Sequence, residues 1–408
     1  MLSNNMGAII SQGAARVKHT RREEKGDPML EKAKGAKYVV PLVVVALAAC
    51  LFGLVFYPMA NMEMKNLPFA VLSLDEGAQT PQGEMNVGDT LVENMVSSAD
   101  AEDAPIAWTV LDSQDELDEA FENNEFYGAL VVPEGYTAAQ VAAQMAAAQA
   151  DPSAAAPAAT DVEAPTLEVI VDYAKSPLVA QQMQTSISSL FEQMGATVDV
   201  EVIHQGDATD DASASPMSGM MSQQVAIMPL CMAMMICSIL VAVVLLPVRK
   251  AAKDKRWHAI GVQAAILVAA SLVAALCAWC LVTLVAGMDA PAGPSILFFW
   301  MAALCVGLLL TGAFNIAVPL GALVALCLFG LGMATGAMPH EALPAFWQDW
   351  VVPWAPQNYI GQGVRSILYM GADAWNVGSG PLAITGIVGA CLMAIAGFIP
   401  KPKKENAA

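Results

Sequence analysis

The sequence predicts an α-helical polytopic membrane protein with six transmembrane helices and an extracytoplasmic α/β domain inserted between helices 1 and 2. Three observations predict it. Apolar runs of membrane-spanning length recur along the chain, charges fall in blocks between them, and one long polar stretch alternates strand and helix patterns. A hydrocarbon core about 30 Å thick takes roughly 20 apolar residues as helix, because each residue advances about 1.5 Å and no water is there to satisfy an open peptide group. With 56% hydrophobic and 14% charged residues, the 408-residue chain is too apolar for one soluble globule.

Residues 1–37 carry eight Lys/Arg against four acids and read as a basic cytoplasmic segment. Residues 38–57, "YVVPLVVVALAACLFGLVFY", are uncharged and closed at each end by a tyrosine suited to the headgroup level. Behind so long a leader they form an uncleaved first span rather than a signal peptide. Residues 61–223 hold 28 acids against the two cations Lys65 and Lys175, which places them outside. Within them "LPFAVLSLD", "AWTVLDS", "FYGALVVPEGY" and "TLEVIVDY" read as four strands, alternating with helices over Val87 to Met95, Gln114 to Phe121, Thr137 to Ala150 and Pro177 to Met194. A Pro/Ala linker near 150–165 interrupts this α/β domain.

Residues 224–400 read as a five-helix membrane domain with spans at 224–248, 259–288, 296–316, 319–339 and 381–400. Residues 296–339 contain no charge and are too long for one crossing, so a hairpin with its break at Asn315 and Pro319 is expected. "GMATG" (332–336) and "GIVGA" (386–390) place small residues four apart, a spacing that lets helices approach closely. Gln263, Thr283, Thr311, Asn315, Thr335 and Thr385 are the polar remnants of the spans, expected to hydrogen-bond between helices. Residues 249–258 carry five cations against one acid and the tail 401–408 three against one, so both read as cytoplasmic, with both termini inside a bacterial cell membrane.

What is missing narrows the function. All eight cysteines sit in apolar runs, so no disulfide framework is encoded. No Gly-Lys pair occurs, so the chain has no phosphate-cradling loop of its own, and no nucleophile motif suggests an enzyme. "DATDDASAS" lacks the glycine and terminal glutamate of a calcium loop, and His19, His204, His258 and His340 are scattered. No cofactor, metal or nucleic acid is expected; the bilayer is.

The stretch after the first span carries Leu67, Pro68, Asp75, Gly77, Asn86, Gly88 and Asp89 in the order Leu-Pro-x-Ala-Val, Asp-x-Gly, Asn-Val-Gly-Asp. It resembles the YhgE/Pip (phage infection protein) family, as do "NNEFYGALVVPEGYTA" and "VDYAKSPLVA" less specifically. The C-terminal half is similar to the membrane domain of ABC-type exporter permeases. The resemblance implies an exporter permease that moves a hydrophobic or amphipathic substrate outward, as a homodimer or heterodimer, with a separate cytosolic ATPase. The alternative it carries is a non-transporting receptor or assembly scaffold. It also implies an ATPase-coupling loop, here Arg249, Lys250, Lys253, Lys255 and Arg256, which could equally anchor helix ends to anionic lipid. External helices before the last span correspond to the Trp-rich segment 340–380, where Trp347, Trp350, Trp354, Arg365 and Tyr369 are expected to form an external gate or a headgroup contact.

Overall fold

The computed structural model describes residues 53–54, 56–80, 83–99, 104–149, 166–194, 198–204, 216–252 and 255–399. Expectations for 1–37, most of 38–57, the 150–165 linker, Lys253 and the 401–408 tail fall outside the described residues.

The first half builds a five-stranded mixed sheet. Its strands are β1 (Leu67–Ser73), β4 (Ile106–Leu111), β5 (Gly128–Val132), β6 (Leu167–Asp172) and β7 (Val198–Ile203), while β2 (Ala78–Thr80) and β3 (Gly83–Met85) form a separate hairpin. The order is β4-β1-β5-β6-β7; β4, β1 and β5 run parallel, β5 meets β6 antiparallel, and β6 and β7 are parallel. β1 and β5 are near-continuous apolar runs because helices cover both faces. On one face α2 (Gln114–Glu122) lays Leu117, Ala120 and Phe121 over Ala70, Leu72, Ala129 and Val131. On the other, Val92 of α1 (Val87–Ala99) and Ala180 of α4 (Pro177–Met194) cover Val71, Leu130, Val169 and Val171. Each such burial contributes about 1.5–3 kcal/mol. α3 (Tyr136–Gln149) follows β5.

Four strands are legible as apolar runs; β7, "VDVEVI", is a fifth. As an edge strand it alternates half-buried valines with exposed Asp199 and Glu201, so its signal is the period of two rather than the continuous apolar run that marks β1 and β5.

The second half is helical. α5 (Pro216–Ile239) continues through a π turn at Leu240–Leu245, and α6 (Arg256–Cys280) ends in another at Leu281–Val285. α7 (Ala292–Ile316), α8 (Val318–Gly330), α9 (Pro356–Met370) and α10 (Ser379–Phe398) complete it. Among the described residues, four apolar helices are long enough to cross a bilayer, at Gln224–Lys250, Arg256–Val285, Ala292–Ile316 and Ser379–Phe398. α7 is central, with α5, α6, α8 and α10 packed around it.

Four expectations are corrected by the helical half. The hairpin does break between α7 and α8, at extended Ala317 with Pro319 in the next helix's first turn, but Asn315 belongs to α7 and points into the bundle. The helix expected over 319–339 stops at Gly330 after 13 residues, about 20 Å. "GMATG" then forms a 3-10 turn, and Gly332 and Gly336 pack against Gln357 of α9. In "GIVGA" the close approach uses Gly386 and Gly389, three apart, while Ala390 is exposed. A Cβ on Gly386 would lie 2.6 Å from the Cys305 sulfur, and one on Gly312 of α7 2.6 Å from the Gly389 carbonyl. The contact row on α10 is thus Leu382, Gly386, Gly389, Met393 and Ala396, all buried at heptad spacing.

Candidate functional site

Three polar constellations stand out in this apolar chain. The first joins the sheet to the helical half. The Tyr127 hydroxyl, beside β5, donates to Glu341 Oε2 at 2.5 Å. Lys175, in the turn after β6, donates to the carbonyls of Asn124 (3.1 Å) and Glu125 and lies 5.1 Å over the Tyr127 ring. Asp172, fully buried at the end of β6, accepts from the Ala174 amide at 2.7 Å and has His204 Nδ1 3.0 Å away. Arg365 comes from α9, Glu341 from the turn His340–Ala342.

Burial governs the protonation of this cluster. It pushes the Tyr127 phenol well above its usual value, and neighbouring Glu341 pushes the same way, so Tyr127 stays a neutral donor. Burial lowers Lys175, opposed by Glu341, Asp172 and Glu125, and lowers Arg365, opposed by Tyr127, Tyr369 and Glu341. It raises the Asp172 carboxyl against the pull of the Ala174 amide and His204. Lys175 and Arg365 thus both lie within electrostatic reach of Glu341, and the bond of Tyr127 to Glu341 joins the two parts of the chain directly.

The second constellation lies inside the bundle. Gln263 of α6 donates to Asn315 Oδ1 at 3.1 Å and to the Leu246 carbonyl at 2.8 Å, and Asn315 Nδ2 donates back to Gln263 Oε1 at 2.7 Å. Leu246 ends the π turn of α5, so three helices are tied at one point. The other polar remnants behave differently: Thr283 and Thr385 bond to their own helices and Thr335 to its own turn, while Thr311 Oγ1 has no partner among the described residues.

The third is the basic loop. Lys250 and Lys255 are exposed and Arg249 is half-buried. Arg256 differs from them: it is 5% exposed and donates to the Ile399 carbonyl at the end of α10, while Trp257 packs edge-on against Phe398 at 5.2 Å. Arg256 is thus a staple between α6 and α10 rather than a free docking cation.

The motif behind the family resemblance is a latch. The Asp75 carboxylate accepts from the Thr137 amide at 3.2 Å and from its hydroxyl, and Thr137 Oγ1 accepts from the Val87 amide at 2.8 Å. Asn86 Oδ1 accepts from the Asp89 amide (2.9 Å), and Asn86 Nδ2 donates to the Asp89 carboxylate (2.8 Å) and the Asp75 carbonyl (3.1 Å). Gly77 turns at φ +80°, and a Cβ on Gly88 would stand 2.9 Å from Asp75 Cβ. Leu67 is buried and Pro68 half-buried at the strand start. These residues fasten β1, α1 and α3 together.

The residues grouped as a gate or headgroup contact are not brought together. Trp347 is buried, donates from Nε1 to the Leu331 carbonyl at 3.0 Å and stacks on Tyr57; Trp350 and Trp354 face outward; Arg365 and Tyr369 belong to the sheet junction. Sequence reading missed Tyr127 and Glu341 because nothing local marks residues that meet 214 positions apart, and it missed Asp172 because its side-chain partner His204 comes from the next strand's end, 32 positions on.

Long apolar helices around a central one define a membrane-embedded protein, and a permease class fits them. The family model described as "ABC-2 family transporter protein" matches residues 38–398, so the chain belongs to that family of membrane permeases. No curated protein and no solved structure gives a match.

Proposed function

We propose that this ABC-2 family permease exports a hydrophobic or amphipathic substrate, with ATP hydrolysed by a separate cytosolic subunit. The carrying observation is the character of the helix walls. Residues 224–248, 259–288, 292–316 and 381–398 contain no acidic, basic or histidine side chain, so an ion relay has no carriers there and an apolar cargo meets no unpaired charge. Chain direction supports two opposite ends. The sheet precedes α5 and the basic loop follows it, and contacts of Arg256 with Ile399 and of Gln263 with Asn315 gather the ends of α10 and α7 on the loop side. Glu341 touches the sheet, so the chain recrosses between Ala317 and Glu341 through α8 and the turns after it. With the run 38–57 this makes six crossings, the sheet outside and both termini inside, in a bacterial cell membrane. The motif from Leu67 to Asp89 carries the YhgE/Pip resemblance, and the working unit is a homodimer or heterodimer.

In this reading the ATPase meets Lys250, Lys253 and Lys255, with Arg249 beside them. The experiment is affinity purification of the tagged chain from native membranes, followed by the same with the three lysines changed to glutamate and Arg256 left alone. The expected result is an ATPase that accompanies the first and is lost from the second, since like charges repel an acidic contact. Cysteine labelling at Ser98 from outside checks that the variant keeps its orientation. Recovery of the chain without any ATPase would overturn the pump reading in favour of a receptor or scaffold.

A further inference from the structure

Residues 345–354 form a short helical stretch whose middle is the π turn Trp347–Val351. Phe346, Trp350 and Trp354 recur every four residues along it and are 53%, 71% and 42% exposed. Trp347, Val351 and Ala355 share the same spacing on the other side and are 5% exposed or less, packed with Ala334, Met338 and Leu343. An ordinary surface helix turns polar groups outward. Here the outward row is three aromatic rings.

Three observations set the depth of that row. Trp347 is stacked on Tyr57, the tyrosine that closes the first apolar run, with ring centroids 5.4 Å apart. Trp375 and Val377, both more than 60% exposed, stand immediately before Ser379, where the apolar run of α10 begins. Glu341, a few residues before the stretch, is bonded to Tyr127 of the sheet, which keeps this segment out of the hydrocarbon. The stretch therefore lies where helices leave the membrane on the sheet side, and its outward face has the composition that favours the zone between water and acyl chains.

We propose that Phe346, Trp350 and Trp354, joined by Trp375, form a membrane-interface anchor lying flat in the phospholipid headgroup layer, and that this face is not a substrate gate. The anchor rests on the membrane reading of the family. Its inner side, through Trp347 and the turns at 333–342, fixes the height of Glu341 and hence of the junction with the sheet.

The test uses the full chain reconstituted in phosphatidylcholine vesicles; flotation with the vesicles reports membrane insertion separately from the depth of the row. Tryptophan emission of the natural chain is compared with that of W350F/W354F, so that the difference isolates two of the eight tryptophans. That difference emission should be quenched strongly by lipids brominated near the headgroup, weakly by lipids brominated at the chain ends, and little by aqueous iodide. Quenching by iodide without quenching by bromolipid would overturn the proposal and leave the face to a soluble partner or a cargo. Strongest quenching by chain-end bromine would overturn it too. Should the double variant fail to insert, W350F alone gives the same comparison.

Discussion

Replacing Gln263 by leucine would cut three hydrogen bonds at once: those to Leu246 and Asn315, and the return bond from Asn315. Interhelical hydrogen bonds in membranes average about 0.6 kcal/mol and reach about 1.7, so three are worth about 2 kcal/mol. The leucine also strands the Asn315 amide, which is 2% exposed, and a stranded buried polar group adds about 1–3 kcal/mol. We expect Gln263→Leu to destabilise the bundle by about 3–5 kcal/mol. Removing both amides with Gln263→Leu/Asn315→Leu leaves only the Leu246 carbonyl without its partner, so the double variant should lose less than the sum of the single ones by about 1–2 kcal/mol. Reversible unfolding in bicelles measures all three. Single losses under about 0.5 kcal/mol that simply add would refute the argument that this pair ties α5, α6 and α7.

Gly389→Leu should disrupt the α7–α10 contact, because a Cβ there runs into the backbone of Leu308 and Leu309; we expect about 1–3 kcal/mol or more, against little change for Ala390→Leu one residue on, read as thermal stability in detergent. Tyr127→Phe removes the donor to Glu341 and should cost about 1–3 kcal/mol at the junction, seen as faster amide exchange in β5 and the 340–342 turn with the bundle helices unchanged. Asp172 is held above the ordinary carboxylate value of 3.8, so the folded state keeps its proton longer than the unfolded one. Its contribution is full below that value and fades as pH rises through the raised one. Asp172→Asn should flatten that part of the stability–pH curve, and an unchanged slope would count against burial as the cause.

Charge blocks and uninterrupted apolar runs are local properties, and they sufficed to place α5, α6, α7 and α10, because a bilayer demands about 20 apolar residues in one stretch whatever the neighbours do. The central strands β1 and β5 were legible for a similar reason: burial on both faces leaves a continuous apolar run. Only the tertiary structure decided the rest. Whether α8 continues to Pro339 depends on the Gln357 contacts that receive the turn after Gly330, and which glycines of α10 touch α7 depends on helix rotation that composition does not specify. Arg256 looks like its basic neighbours in the sequence and is set apart by one distant acceptor, the Ile399 carbonyl. The junction of Tyr127, Lys175, Glu341 and Arg365 joins four segments far apart in the chain, and long-range proximity of single polar residues leaves no periodic trace, since each occupies one position in a pattern set by its own element.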